Sequence, residues 1–357
     1  MRRLWRYLAA CLVVTGLLLG GMACGRGDEH ISPSPTANKV GTVAIVTPEK
    51  ANDYGWNEQG VEGVRAAAKA AGAEVIVQDG AGYGDITSIL NQLAASKPQL
   101  IFAWASGYNT VAAEVAQQRG IPVVIVGAGG DTANVPGCVV DFETEAHKGS
   151  YLAGVLAARM TRTGTVAIVV SAEDENWTKM SGGFIAGARA TLPDIHILYA
   201  QIGQAGYADA AGGKRVTQSA IAGGADVVFG MGDGSSFGMM QACETSRPPA
   251  GAEKVWFIDV IGDKSSLDER GIYLSSVVWD LSSLATLAIK QVEQGAFGSE
   301  TYWLNTENGI GLLRTQWIPG DVWAAVEEAA AGIAAGDIDV PLTATGAEVK
   351  DFLNRDE

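Results

Sequence analysis

Histidine, cysteine and positive charge are all scarce here, and each shortage excludes a class of function. Three histidines and four cysteines are spread through 357 residues. Metal-assisted hydrolysis needs them clustered with carboxylates, whereas His30, His147 and His196 fall in three unrelated segments. The stretch "GDGSSFG" lacks the Gly-x-Ser-x-Gly spacing of a nucleophile elbow, and no Walker-type phosphate loop occurs. Catalysis is not expected, and no cofactor is implied. Lys and Arg number 25 against 40 Asp and Glu, a formal net charge of -15. Phosphate backbones are bound by clustered cations, so nucleic acid is not an expected partner. The acidity reads as a soluble surface, and the protein is expected to act as a monomer.

The N-terminus reads as targeting rather than fold. Arg2, Arg3 and Arg6 precede the apolar run "YLAACLVVTGLLLGGMA", and Cys24 follows the small residues of Gly21-Met22-Ala23. Residues 1–23 are thus expected to be a lipoprotein signal peptide, Cys24 the acylated residue and 24–38 a disordered tether. Cys11 fits the local cleavage pattern but leaves no apolar stretch before it. The competing reading is an uncleaved anchor, for which the run is short. The mature chain then keeps Cys138 and Cys243, whose lone positions suggest buried thiols rather than a disulfide.

From residue 40, apolar strands alternate with helical patterns. "VGTVAIV" is followed by Val61, Val64, Ala68 and Ala71 at helical spacing up to Gly72. "AEVIVQD", "QLIFAWA" and "IPVVIVG" continue as strands, with helices between them. Such alternation predicts parallel sheets covered on both faces. The pattern then restarts: "GTVAIV" occurs at Gly41–Val46 and again at Gly164–Val169. Each copy leads to a tryptophan, Trp56 or Trp177, and then to Gly-x-Arg-Ala. "PQLIFAWASG" and "ADVVFGMGDG" follow in the same order. Two doubly wound lobes of one topology are predicted, residues 39–143 with 279–307 and residues 144–278 with 308–357. Crossings near Glu143, Val278 and Glu307 form a hinge.

One connection is odd. "NDYGWNEQG" carries a Tyr and a Trp where a strand-to-helix turn needs only glycine or a cap, and bulky aromatics left in water gain nothing from folding. Ligands of open parallel sheets bind beyond the strands' carboxyl ends. Facing lobes would bring Tyr54, Trp56, Asn57, Ser106, Gly107 and Tyr108 towards Asn176, Trp177 and Asp233. On that reading the aromatics are covered by a ligand and the opposite lobe rather than by their own core. Trp279 is either a third wall or interlobe packing. Asp233 and Asp280 either recognise ligand or cap the helices that follow them.

In their order, "DYGWNEQGVEG", "FETEAHKGSYLAGVLAARMTRTGTVAIV", "GGADVVF" and "GIAAGDIDVP" resemble the basic membrane protein family. These are substrate-binding lipoproteins of ABC importers, similar to purine nucleoside receptors, and the resemblance covers residues 40–342. It implies a type I periplasmic-binding fold, an extracytoplasmic position on a lipid anchor, a membrane permease as partner, and a purine base or nucleoside stacked between aromatics. Residue by residue it assigns Tyr54, Trp56 and Asn57 to a first binding loop and Ser106 to Tyr108 to the next. It adds Asp233 and the acid Asp263. Nucleoside-binding members resemble one another in an Asp two residues before that acid and a Lys after "SVV"; this chain has Ile261 and Trp279 there. Neither offers a charged partner to ribose hydroxyls, so a free base is the expected ligand.

Overall fold

The computed structural model describes residues 39–204 and 206–354. The signal peptide, Cys24 and the tether lie outside them, as do the last three residues. Among the described residues no helix is long and apolar enough to cross a membrane.

Two six-stranded sheets carry the fold. In the first, β1 (Thr42–Val46) lies between β2 (Glu74–Gln78) and β3 (Leu100–Ala103), followed outward by β4 (Val123–Val126), β5 (Val139–Thr144) and β11 (Tyr302–Leu304), all parallel. In the second, β6 (Thr165–Val170) lies between β7 (His196–Gln201) and β8 (Val227–Met231), followed by β9 (Trp256–Ile261), β10 (Tyr273–Trp279) and β12 (Ile310–Leu312). The repeated hexapeptide therefore builds the same inner strand twice. The parallel pattern fails at one place: β12 pairs antiparallel with β10, because the chain arrives there directly from β11 of the other sheet with no helix to carry it back.

β1 shows why its sequence is continuously apolar. Val43 and Ile45 face one packed layer, Ala44 and Val46 the other, and all four are fully buried. Such a strand has no wet face to mark with polar residues. Helix α1 (Trp56–Ala71) covers the first layer with Val61, Val64 and Ala68, and Gly72 stops it at φ 70°, returning its N–H to Ala68 and Lys69. Helices α2 (Thr87–Ala95) and α3 (Asn109–Arg119) cover the second layer. In the other lobe α4 (Ala146–Met160) packs along α5 (Glu175–Thr191), with α6 (Ala210–Ala222) and α7 (Ser236–Thr245) paired on the opposite side.

Among the described residues the chain passes between sheets three times: from β5 into α4, from β10 into α8 (Ser282–Gln294), which packs on α1, and from β11 into β12. Three short strands of backbone at one edge allow rotation about that edge and restrict sliding. The C-terminal helices α9 (Gly320–Ala335) and α10 (Gly346–Leu353) pack on α4 and α5. Cys243 is a buried free thiol, whereas the free thiol of Cys138 is only half-buried.

Candidate functional site

The carboxyl ends of β1, β3, β6 and β8 face one another across a cavity of about 330 Å³, within the usual range for small-ligand sites. Trp56, Ser106 and Gly107 line it from the first lobe; Asn176, Trp177 and Asp233 line it from the second, and Trp279 closes the hinge side.

Each wall has a local cause. Asp53 caps α1: its carboxylate accepts from the backbone N–H groups of Gly55, Asn57 and Glu58 at 3.0, 3.2 and 2.9 Å. The cap sets Trp56 at the head of the helix, where its ring stacks on Trp104 with centroids 4.5 Å apart. Each indole N–H donates to the other residue's carbonyl, at 2.9 and 3.1 Å. Gly60 makes room for this, since a Cβ there would stand 2.2 Å from the Trp104 ring nitrogen. Phe142 extends the stack at 5.4 Å from Trp104. The expected covering of Trp56 by ligand and opposite lobe alone is thus corrected: one face belongs to its own lobe, and only the half-buried remainder is open to a guest.

Asp174 repeats the device in the second lobe, capping α5 by accepting from Asn176 and Trp177 N–H. Trp177 is 3% exposed and donates its indole N–H to Ser171 at 3.1 Å. Two of the three cavity indoles therefore have no N–H left for a ligand. The Trp279 indole N–H is buried and has no hydrogen-bond partner among the described residues.

The charges are of one sign. Glu143, Asp174 and Asp233 line the cavity, and neither Lys nor Arg does. Glu143 has Lys179 at 3.8 Å as partial compensation. Burial holds the Asp233 carboxyl well above the ordinary carboxylate range, and the charge of Asp53 adds to this.

The lobes meet around the cavity. Trp56 donates its backbone N–H to Asp233 at 3.3 Å, and Lys264 Nζ donates to the Tyr54 carbonyl at 3.3 Å. A Cβ on Gly262 would lie 1.8 Å from that carbonyl, so the approach requires glycine. Of four described non-glycine residues at positive φ, three are here: Tyr54 at 50°, Asp233 at 47° and Ile261 at 70°. Strain of about 1–3 kcal/mol each is typical of residues held for a site.

Five candidates are placed elsewhere. Tyr108 is fully buried in the core layer under α2 and α3 of the first lobe, and its hydroxyl donates to the Gly82 carbonyl in the loop that carries Tyr83. Asn57 is buried in the capping network, donating to Asp53 at 2.7 Å and accepting from Glu49 N–H at 3.2 Å. Tyr54 does not line the cavity and meets Phe237 edge-on at 6.4 Å across the lobes. Asp263 is exposed on the outer surface, accepting from Ser265 N–H, and Asp280 is exposed and accepts from Ser282 N–H as a turn residue. The sequence reading also missed cavity residues: Tyr83, Phe142, Glu143, Asp174 and Tyr207. Tyr83 in "GAGYG" and Tyr207 in "AGYAD" carry the same signal as Trp56, an aromatic in a glycine-bearing connection after a strand.

Residues 40–316 match the family Bmp, described as ABC transporter substrate-binding protein PnrA-like. A CD4+ T-cell-stimulating antigen of Listeria innocua is 28% identical over 95% of this chain and 99% of its own length. An ABC transporter nucleoside-binding protein of Lactococcus lactis is 26% identical over 92% and 98%. An ABC transporter solute-binding protein from Aeropyrum pernix superimposes with a TM-score of 0.73 over 87% of this chain and 96% of that one, at 17% identity, a likeness of fold.

Proposed function

Because the chain belongs to the Bmp family of PnrA-like ABC transporter substrate-binding proteins, we propose that it captures a purine base or a related flat heterocycle between its lobes and presents the closed form to a membrane permease. The observation that carries this reading is the cavity's lining. Trp56, Trp177 and Trp279 supply aromatic surface, while Glu143, Asp174 and Asp233 supply polar groups, and among the described residues no Lys or Arg lines the cavity beside them. Stacking gives affinity for any ring, and the polar groups select among rings.

The polar groups define a complement. Asp233 accepts from a ring or exocyclic N–H, and the unpartnered Trp279 N–H donates to a ring nitrogen or carbonyl oxygen. Purine edges carry both. A phosphate would meet the acidic lining of Glu143 and Asp174, with no Lys or Arg among the described lining residues, so nucleotides are disfavoured by charge. Capture and release need no covalent step: the ring stacks in the open cleft, and rotation about the three crossings brings Asp233 and Lys264 onto the first lobe. Titration calorimetry of ligand-stripped protein should give one-to-one binding of adenine and at least hundredfold weaker binding of AMP, on the order of 3 kcal/mol from an unpaired buried charge. Equal affinity for the two would remove the charge argument.

The alternative within the family is a nucleoside receptor, favoured by the likeness to the nucleoside-binding protein of Lactococcus lactis. A sensor that presents the same closed form to a membrane receptor is the other reading, separable by whether permease and ATPase genes adjoin. The proposed location is the outer face of the cell membrane, held by lipid on Cys24. Cys24→Ser should release the protein from membranes, and Cys11→Ser should not; labelled lipid still attached to the Cys24 variant would refute the anchor.

A further inference from the structure

We propose that Tyr83 and Tyr207 form an aromatic latch across the mouth of the cavity and that Tyr83 sets how long a ligand is retained. Tyr83 belongs to the loop between β2 and α2 of the first lobe, Tyr207 to the loop between β7 and α6 of the second. Their rings stack with centroids 5.9 Å apart and an interplanar angle of 19°. Both line the cavity, yet Tyr83 is 56% exposed, which puts it at the rim rather than in the interior. Each phenol is tied to its own lobe: Tyr83 donates to Glu49 at 3.0 Å, and Tyr207 donates to Asp174 at 2.9 Å. Burial, with the charge of Asp174 beside it, pushes the Tyr207 phenol above its ordinary titration range, so it remains a donor at any physiological pH.

The arrangement has the properties of a catch. The stack exists only when the lobes are together, because its two rings come from different lobes. The hydrogen bonds pre-orient each ring before contact and lower the entropy lost on closing. The loop under Tyr83 turns at Gly80 and Gly82, at φ 71° and 80°, and is held to its own lobe by the backbone N–H groups of Gly80, Ala81 and Gly82, which donate to the carbonyls of Glu49, Thr47 and Pro48. Asp174, which holds Tyr207, also caps the helix carrying Trp177. The outer latch and the inner wall therefore share one carboxylate.

This rests on the reading of the cavity as a closing cleft, not on which heterocycle it holds. The test is a double-substitution cycle with adenine as the probe, release being followed by stopped-flow tryptophan fluorescence. Tyr83→Ala should accelerate release roughly two- to tenfold, the worth of one aromatic pair, with an unchanged melting temperature because the residue is exposed. In a Tyr207→Ala background the same change should add nothing. Tyr83→Phe, which keeps the ring, should stay within about twofold of the parent protein. An unchanged release rate for Tyr83→Ala, or an equal factor in both backgrounds, overturns the latch. A second arm uses no ligand: small-angle scattering should give a larger radius of gyration for ligand-free Tyr83→Ala than for the ligand-free parent, in which the latch holds a fraction of the chains closed before adenine closes the rest. Identical radii contradict the latch even if adenine fails to bind, and a larger radius in that case supports it while refuting the purine assignment alone.

Discussion

Adenine should bind about thirtyfold or more tightly than adenosine, a gap of about 2 kcal/mol from one or two unpaired buried polar groups. Ile261 and Trp279 both line the cavity and are each 2% exposed, so a sugar carried on the base meets an aliphatic side chain and an indole. The charged groups nearest to position 261 are already engaged or turned away. Asp259 and Lys264 form a fully buried ion pair at 2.6 Å, with Ser236 on the same carboxylate, and Asp263 faces outward. Position 261 adds a physical clue. Its φ of 70° is a conformation that Asp and Asn tolerate and β-branched residues avoid, and Asp is what the resemblance to nucleoside-binding relatives places there. Ile261 thus holds a backbone conformation that would suit a carboxylate-bearing residue. Ile261→Asp should therefore narrow the preference for base over nucleoside, without the backbone penalty a new carboxylate would face elsewhere. Calorimetry with adenine, guanine, adenosine and inosine measures both effects; tighter binding of a nucleoside to the parent protein would assign its ribose to other residues of the site.

Trp56→Ala should weaken heterocycle binding tenfold or more, since a base stacked on an aromatic ring contributes about 1–3 kcal/mol in single-strand nucleic-acid binders. The structure adds a second consequence. Trp56 shares a stack and two reciprocal hydrogen bonds with Trp104, so the truncation also leaves the Trp104 carbonyl without its indole donor, removes the ring packed on Trp104 and lowers the melting temperature. Trp56→Phe separates the two roles: it keeps an aromatic face for the ligand and loses the indole N–H. Affinity within about threefold of the parent for Phe, but not for Ala, identifies stacking as the role. Parent-like affinity for Ala together with a lower melting temperature would make Trp56 a packing residue.

The fold was legible because its signals are redundant. A continuous apolar strand, a 3.6-residue helical face and a glycine stop recur in order, and the repeated "GTVAIV" links two lobes that no single window could. The reversal of β12 was not legible, since three residues carry no direction. At the site, the identity of the loops was readable and the aim of each side chain was not. Trp56 and Trp177 reach the cavity because caps at Asp53 and Asp174 fix the helix starts. Tyr108, two positions past Ser106, turns into the core because a short 3-10 turn over Ser106–Tyr108 rotates it into the layer under α2 and α3. Spacing along a loop does not determine such rotations. Asp263 and Asp280 stand outside the cavity for a related reason: turns at strand ends select acidic residues for their own backbone N–H groups, the capping role that the sequence offered for Asp280 as one of two.

The central claim, capture of a purine by lobe closure, is tested most directly by small-angle scattering of ligand-stripped protein titrated with adenine. Saturable contraction at one adenine per chain is the predicted result. Binding with no change in the radius of gyration would contradict closure, and no saturable response to adenine or to any other purine would contradict the ligand assignment and leave the family's solute-binding role without its proposed solute.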